Sequence, residues 1–241
     1  MSDKFLYAKV YDDILKKINS GKWKIGDTIP NEKELIKLYS VSRDTLRKAL
    51  SMLKSEGILY SKSGISTYVK GRKLDYKLAS IESFTEICIR ENKIPRSIVY
   101  RAEKIIPNTD IKNKMGIKKG ENVFFIERLR LSDNRAVCYE KTYINEKLCP
   151  DIDKYISPNT SLFNLYENKY NIIIGYGKYT LEAINAPNDI ANILSINTGD
   201  ALLMMNATIF TSDNEPLYTV IANYIGVEYI FSTIILERNK F

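Results

Sequence analysis

Residues 29–56 read IPNEKELIKLYSVSRDTLRKALSMLKSE. Pro30 and Asn31 end the preceding segment, and Asn31 offers a side-chain cap to a helix beginning just after it. Leu35, Leu38 and Tyr39 fall on one face of that short helix. Val41 and Ser42 break it, and Ser42 can cap a second helix. In the second helix Leu46, Ala49, Leu50 and Leu53 recur at i, i+3, i+4 and i+7, the stripe of an amphipathic helix. Arg43, Thr45, Arg47, Lys48 and Ser51 lie off that stripe. Two short helices joined by a tight turn, the second with Arg and Thr near its N-terminus, match the helix-turn-helix that enters a major groove. Arginine donors suit guanine O6 and N7, and short hydroxyls approach bases or phosphates. An ordinary helical hairpin with a solvated basic face gives the same pattern.

The next segment separates the two readings. Ile58–Tyr60 and Thr67–Val69 read as short strands around Ser61–Ser66, with Gly64 at the turn and Lys62 beside it. A basic-tipped hairpin after the second helix makes a winged helix-turn-helix. Charge agrees with this. Residues 1–73 hold 16 Lys and Arg against 8 Asp and Glu, while the remainder holds 20 against 21. All of the formal excess of +7 therefore lies with the first part of the chain, as phosphate binding by counterion release requires.

The same residues resemble the signature of GntR-type bacterial repressors. The match runs through Leu6-Tyr7, Ser20-Gly21, Gly26-Asp27, Pro30-Asn31-Glu32, Val41-Ser42-Arg43, Thr45-Leu46-Arg47, Ala49-Leu50, Leu53 and Glu56-Gly57. So many matches in order are far more specific than one short motif. In that family the wing usually carries Gly, a basic residue and Gly, where this chain has Gly64-Ile65-Ser66. The resemblance implies base contacts from Arg43, Thr45 and Arg47, with Asp44 on the same turn. Lys33, Ser42, Lys62 and Gly64 are expected nearer phosphates.

Three cysteines without CxxC spacing, and no histidine, argue against zinc or haem and against histidine acid–base catalysis. No cofactor is expected. The N-terminus is charged and no stretch has the length of a membrane span, so a cytoplasmic protein is expected.

Along the chain, Tyr7, Val10, Ile14 and Ile18 form the apolar face of a first helix that ends at Ser20-Gly21. The expected organisation is a DNA-binding domain over 1–70, a linker over 71–79 and a second domain over 80–241. Ser83-Phe84-Thr85-Glu86 opens a helix running to Glu91-Asn92, and a strand follows from Ser97 to Ile106. An internal repeat then appears. A helix from Thr109, a turn at Gly120, a strand to Leu131, a turn at Ser132–Asn134 and a strand to Ile144 recur about eighty residues later. The second copy has a helix from Asn188, Gly199, a strand to Thr211, a turn at Ser212–Asn214 and a strand to Ile225. A helix over Ser161–Lys169 intervenes. The predicted class is α+β: a winged helix-turn-helix followed by a mainly antiparallel sheet with helices packed on it. The final strand, Tyr229–Leu236, is nearly all apolar and calls for cover on both faces.

This second region resembles the UTRA effector-binding domain of the HutC subfamily, which shares its fold with chorismate lyase. The resemblance rests on Ser83-Phe84-Thr85, Arg128-Leu129-Arg130, Tyr139-Glu140, Thr160-Ser161-Leu162-Phe163, Leu181-Glu182-Ala183 and Tyr224. Read as residues alone, Arg128 and Arg130 share one face of a strand with Phe124 and Ile126. They could clamp an anion, pair with Glu140 or meet solvent. The resemblance implies the first: a phosphate held by Arg128, Arg130 and Ser161, with backbone near Ser83-Phe84-Thr85. Glu140 is implied to bond sugar hydroxyls, and Phe163, Tyr218 and Tyr224 to border the pocket. Tyr218 stands where amino-sugar-responsive members carry an acid, which points to a neutral sugar phosphate.

The expected protein is thus a ligand-controlled repressor that binds operator DNA as a homodimer. Its half-sites would be spaced by about 10–10.5 bp. The runner-up effector is another anion, a carboxylate or phosphonate. An enzyme of chorismate lyase type would need an acid–base pair that nothing in the sequence places, and a basic scaffold would bind all DNA alike.

Overall fold

A computed structural model describes residues 3–62, 66–70 and 73–234. The chain divides into two compact units between Lys73 and Leu74.

The first unit opens with α1 (Asp3–Asn19), α2 (Glu32–Tyr39) and α3 (Arg43–Ser55). Asn31 caps α2 in a capping box: Glu34 N–H donates to Asn31 Oδ1, and the Asn31 N–H donates to Glu34 Oε2. Ser40, left-handed at φ 51°, ends that helix, and two residues later Ser42 Oγ accepts from the Thr45 N–H to start α3. Val10, Ile14 and Ile18 of α1 pack with Leu35, Leu46, Ala49, Leu50 and Leu53 in one core. The α2 stripe differs from the sequence reading. Leu38 is 56% exposed, and Ile36 packs on the core in its place beside Leu35 and Tyr39. The wing strands are β1 (Leu59–Lys62) and β2 (Ser66–Val69), with Thr28 bridged to Tyr68 on the far side. Gly64 lies outside the described residues, as does the side chain of Lys62.

The second unit carries a six-stranded sheet in the order β4-β5-β6-β9-β8-β7. Its strands are β4 (Pro95–Ile105), β5 (Val123–Ser132), β6 (Arg135–Ile144), β7 (Ile174–Asn185), β8 (Ala201–Thr211) and β9 (Pro216–Ile225). The predicted repeat is visible in that order. Each half is a strand, a short helix and a hairpin: β4, α5 (Thr109–Met115), β5, β6, then β7, α7 (Asn188–Leu194), β8, β9. The halves meet at the β6–β9 ladder, where Glu140 lies opposite Ala222. On one face α5 covers Val123 and Tyr143, and α7 covers Leu129, Tyr139, Leu202 and Ile225.

The other face bears α4 (Phe84–Arg90) and α6 (Leu162–Asn164), which runs on into a π-helical turn, Leu165–Lys169. Two sequence readings are corrected here. Leu74–Lys77, read as linker, is strand β3, paired in parallel with β10 (Tyr229–Ser232). The apolar final strand ends at Ser232, alternates from buried Tyr229 to half-exposed Ile230, and is covered on one face only. The run of apolar residues misled because alternation, and not mean hydropathy, reports which face is buried. Residues 235–241 lie outside the described residues.

Candidate functional site

Two sites emerge, one in each unit. In the first, Ser42, Arg43, Asp44 and Arg47 are exposed at the start of α3, and Lys33 is exposed on α2. Glu32 Oε2 lies 3.2 Å from Arg47 Nε and 3.6 Å from Arg43 Nε. Thr45 departs from expectation: it is 5% exposed, and its hydroxyl is 2.8 Å from Ser42 Oγ. Thr45 falls one turn before Ala49 and two before Leu53, so it continues the buried stripe. The outward surface of the helix is therefore carried by its two arginines and not by that hydroxyl.

The second site is a cavity of about 700 Å³, including its open mouth, on the face of the sheet beneath α4 and α6. Ser83, Phe84 and Thr85 reach it from the start of α4, and Ser161 and Phe163 from the start of α6. Arg128 and Arg130 of β5, Glu140 of β6, and Tyr218 and Tyr224 of β9 complete the set singled out from sequence. Strand alternation puts both arginines on this face, above Phe124 and Ile126 in the core.

The charges are tightly interlocked. Arg128 Nη2 donates to Glu140 Oε1, and Arg130 Nη2 lies 3.0 Å from the same oxygen. Arg130 Nη1 also donates to Ser97 Oγ at 2.8 Å, and its guanidinium sits 5.1 Å from the Phe84 ring centroid. The sequence left clamping and ion pairing as alternatives; the geometry contains the pairing within the cavity wall. Burial by itself would raise the Glu140 carboxyl, but the two guanidiniums overcome it and hold the group down to about 2. At Arg128, burial and repulsion from Arg130 outweigh Glu140 and bring its ionisation down to about 10. One carboxylate thus serves two guanidiniums, and the cluster keeps one positive charge in a buried place. The Nε atoms of Arg128 and Arg130 are buried and lack hydrogen-bond partners. An anion would relieve both deficits.

Away from the clamp the wall is aromatic. Tyr76 stacks on Phe231 at 5.1 Å and meets Tyr224 and Tyr179 edge-on. Burial raises the Tyr76 phenol, with Tyr179 beside it contributing, so it is neutral at ordinary pH. Glu82, the other carboxylate of the wall, is 2.9 Å from Arg90. Sequence reading did not find Tyr76, Glu82, Thr142, Tyr179 or Tyr229. Tyr76 was within reach: Leu74-x-Tyr76 is an alternating pair, hidden by its position after a basic, linker-like run. Tyr229 and Tyr179 come from distant segments and only folding brings them together.

All three cysteines are buried. Among the described residues no group of three or more His, Cys, Asp or Glu could hold a metal. No described helix is long and apolar enough to cross a membrane.

Comparison with known proteins identifies both domains. A model of the UTRA domain matches residues 90–229, and one of bacterial regulatory proteins of the gntR family matches residues 6–69. The HTH-type transcriptional regulator YurK of Bacillus subtilis is 29% identical over 213 residues, 88% of each chain. The probable fructoselysine utilization operon transcriptional repressor of Escherichia coli O157:H7 is 27% identical over 217 residues, 90% of this chain and 89% of its own. The crystal structure of PhnF from Mycobacterium smegmatis shares the fold, with a TM-score of 0.73 at 20% identity over 97% of this chain and 100% of that one. With a DNA-binding domain matched at one end and a ligand-binding domain over more than half its length, the chain belongs to the GntR family of bacterial regulatory proteins, as a transcription regulator of the HutC type that joins a GntR helix-turn-helix to a UTRA effector domain.

Proposed function

We propose that this regulator is a repressor that binds its operator as a homodimer and is released by a small phosphorylated metabolite, a neutral sugar phosphate. The observation that carries the effector class is the Arg128–Arg130–Glu140 cluster, which buries one uncompensated positive charge and two unpartnered N–H donors beside an aromatic cavity. A phosphate answers the charge with paired, charge-assisted hydrogen bonds. Both carboxylates in its wall are already committed to arginines, which leaves none for an ammonium group and favours a neutral body. The relative named for fructoselysine utilization supports a role in sugar metabolism. In the first unit, Arg43 and Arg47 are the candidates for base contacts, with Ser42 and Lys33 nearer the backbone. Ligand binding would favour an arrangement of the dimer whose recognition helices no longer match the operator. That shift is bounded by the ligand's differential affinity for the two states.

Thermal shifts across sugar phosphates, free sugars, phosphonates and small dicarboxylates, for the wild type and an Arg128→Ala/Arg130→Ala variant, test the reading. A sugar phosphate at about 100 times its Kd adds roughly 2.7 kcal/mol of stability. The shift should be absent with the free sugar and in the variant. A shift surviving the double substitution, or one confined to dicarboxylates, would refute the phosphate assignment.

A further inference from the structure

We propose that Arg90 is a positioning residue that ties the cavity wall to β3, so that occupancy of the cavity sets how firmly β3 is held. The proposal rests on the anion-clamp reading given above. Arg90 is the last residue of α4, and its guanidinium binds three separate places. Nη2 donates to the Asp75 carbonyl of β3 at 2.5 Å and to Glu82 Oε2 at 2.9 Å. Nη1 donates to Glu91 Oε1 at 2.7 Å. Glu82 lines the cavity, and so does Tyr76, the neighbour of Asp75 in sequence. One guanidinium thus grips a carboxylate of the wall and the backbone of the strand that supplies Tyr76.

The strand it holds is a good switch element. β3 has four residues and, among the described residues, a single partner strand, β10, also of four residues. Two-stranded ribbons are marginal by themselves, so modest additions shift their stability. Ser232 Oγ donates to Asp75 Oδ1 at 2.6 Å, which places the Arg90 grip at the point where the two strands are laced together. β3 is also where the chain enters the effector unit: only residues 70–73 separate it from the end of β2. An anion held by the clamp lies in the cavity that Glu82 also lines, and its charge repels that carboxylate, which strengthens the demand of Glu82 on Arg90. The same Nη2 holds Asp75, so the strand is drawn to the wall. Arg90 serves a backbone carbonyl and two carboxylates through a rigid planar fork, which the compact ammonium of a lysine does not reproduce.

Hydrogen exchange on the full chain, with inorganic phosphate as the probe, reads this directly. The Leu74 and Leu78 amides, each bonded across to the β10 side at 2.8 Å, should exchange about fivefold slower or more when phosphate saturates the wild type. Arg90→Lys keeps the charge beside Glu82 and loses the fork. It should retain the phosphate-induced rise in melting temperature, while the exchange response falls to within about twofold of none. An undiminished response in Arg90→Lys overturns the proposal. A wild-type melting shift with no change at Leu74 and Leu78 overturns it too, and leaves the clamp intact. No melting shift with phosphate in the wild type overturns the clamp and this proposal together. If Arg90→Lys does not fold, Glu82→Gln, which removes the charged wall end of the tie, takes its place: the same loss of exchange response is expected, and an undiminished response overturns the proposal.

Discussion

Replacing Glu140 by Gln removes the one counter-charge of two buried guanidiniums while keeping the size of the side chain. The cost follows from the cluster itself. The carboxyl falls from 4.5 to about 2, and at about 1.4 kcal/mol for each tenfold change this corresponds to about 3 kcal/mol of stability near neutral pH. Breaking a buried pair by removing one partner costs about 3–5 kcal/mol by a separate route, so the two estimates meet near the lower end of that range. The sign of the pH dependence is fixed by the direction of the shift. A carboxyl lowered by folding contributes fully above about pH 4.5 and loses that contribution as pH falls toward about 2. At about pH 3, roughly 2 of the 3 kcal/mol should be gone. Urea denaturation of the wild type and Glu140→Gln at about pH 6 and pH 3 isolates the effect, because other carboxyls titrate alike in both proteins. The variant should be about 3 kcal/mol less stable at the higher pH and about 1 kcal/mol less stable at the lower. A gap under about 1 kcal/mol at pH 6, or one that does not narrow on acidification, would refute the account of the cluster. Added phosphate should recover part of the loss, since it supplies the missing negative charge.

Arg47→Ala should weaken operator binding by about 1–3 kcal/mol and relax sequence preference, read by titrating operator and scrambled DNA at fixed salt. An equal loss on both DNAs would assign Arg47 to the backbone instead. Ser42→Ala removes the acceptor for the Thr45 N–H and a partner of the buried Thr45 hydroxyl, and should cost about 1–2 kcal/mol of stability in the first unit. Thermal melts of that variant check it; no change would mean the α3 cap is dispensable.

The helices of the first unit were legible because their signals are local. Asn31 and Ser42 cap where a side-chain oxygen meets free N–H groups two or three residues on, and Leu46, Ala49, Leu50 and Leu53 recur with the helical period. The repeat in the second unit was legible for a similar reason: each copy carries its own turn residues, and Gly120 and Gly199 both take φ 89°. The shared face of Arg128 and Arg130 follows from the two-residue period of any strand. Thr45 and Leu38 were misjudged because positions at the margin of a helical stripe are settled by what packs beside them, and periodicity does not report the neighbour. β3 was missed in kind, since it is four residues long and exists by pairing with a segment about 155 residues away, whereas β10 was read as a strand but too long and covered on both faces. Tertiary structure alone decided that Glu140 is shared by both arginines, that Tyr76, Tyr179 and Tyr229 close one wall, and that Arg90 reaches the Asp75 carbonyl. Those relations join distant segments across a low-dielectric interior, and their chemistry depends on distance and burial, which local sequence does not contain.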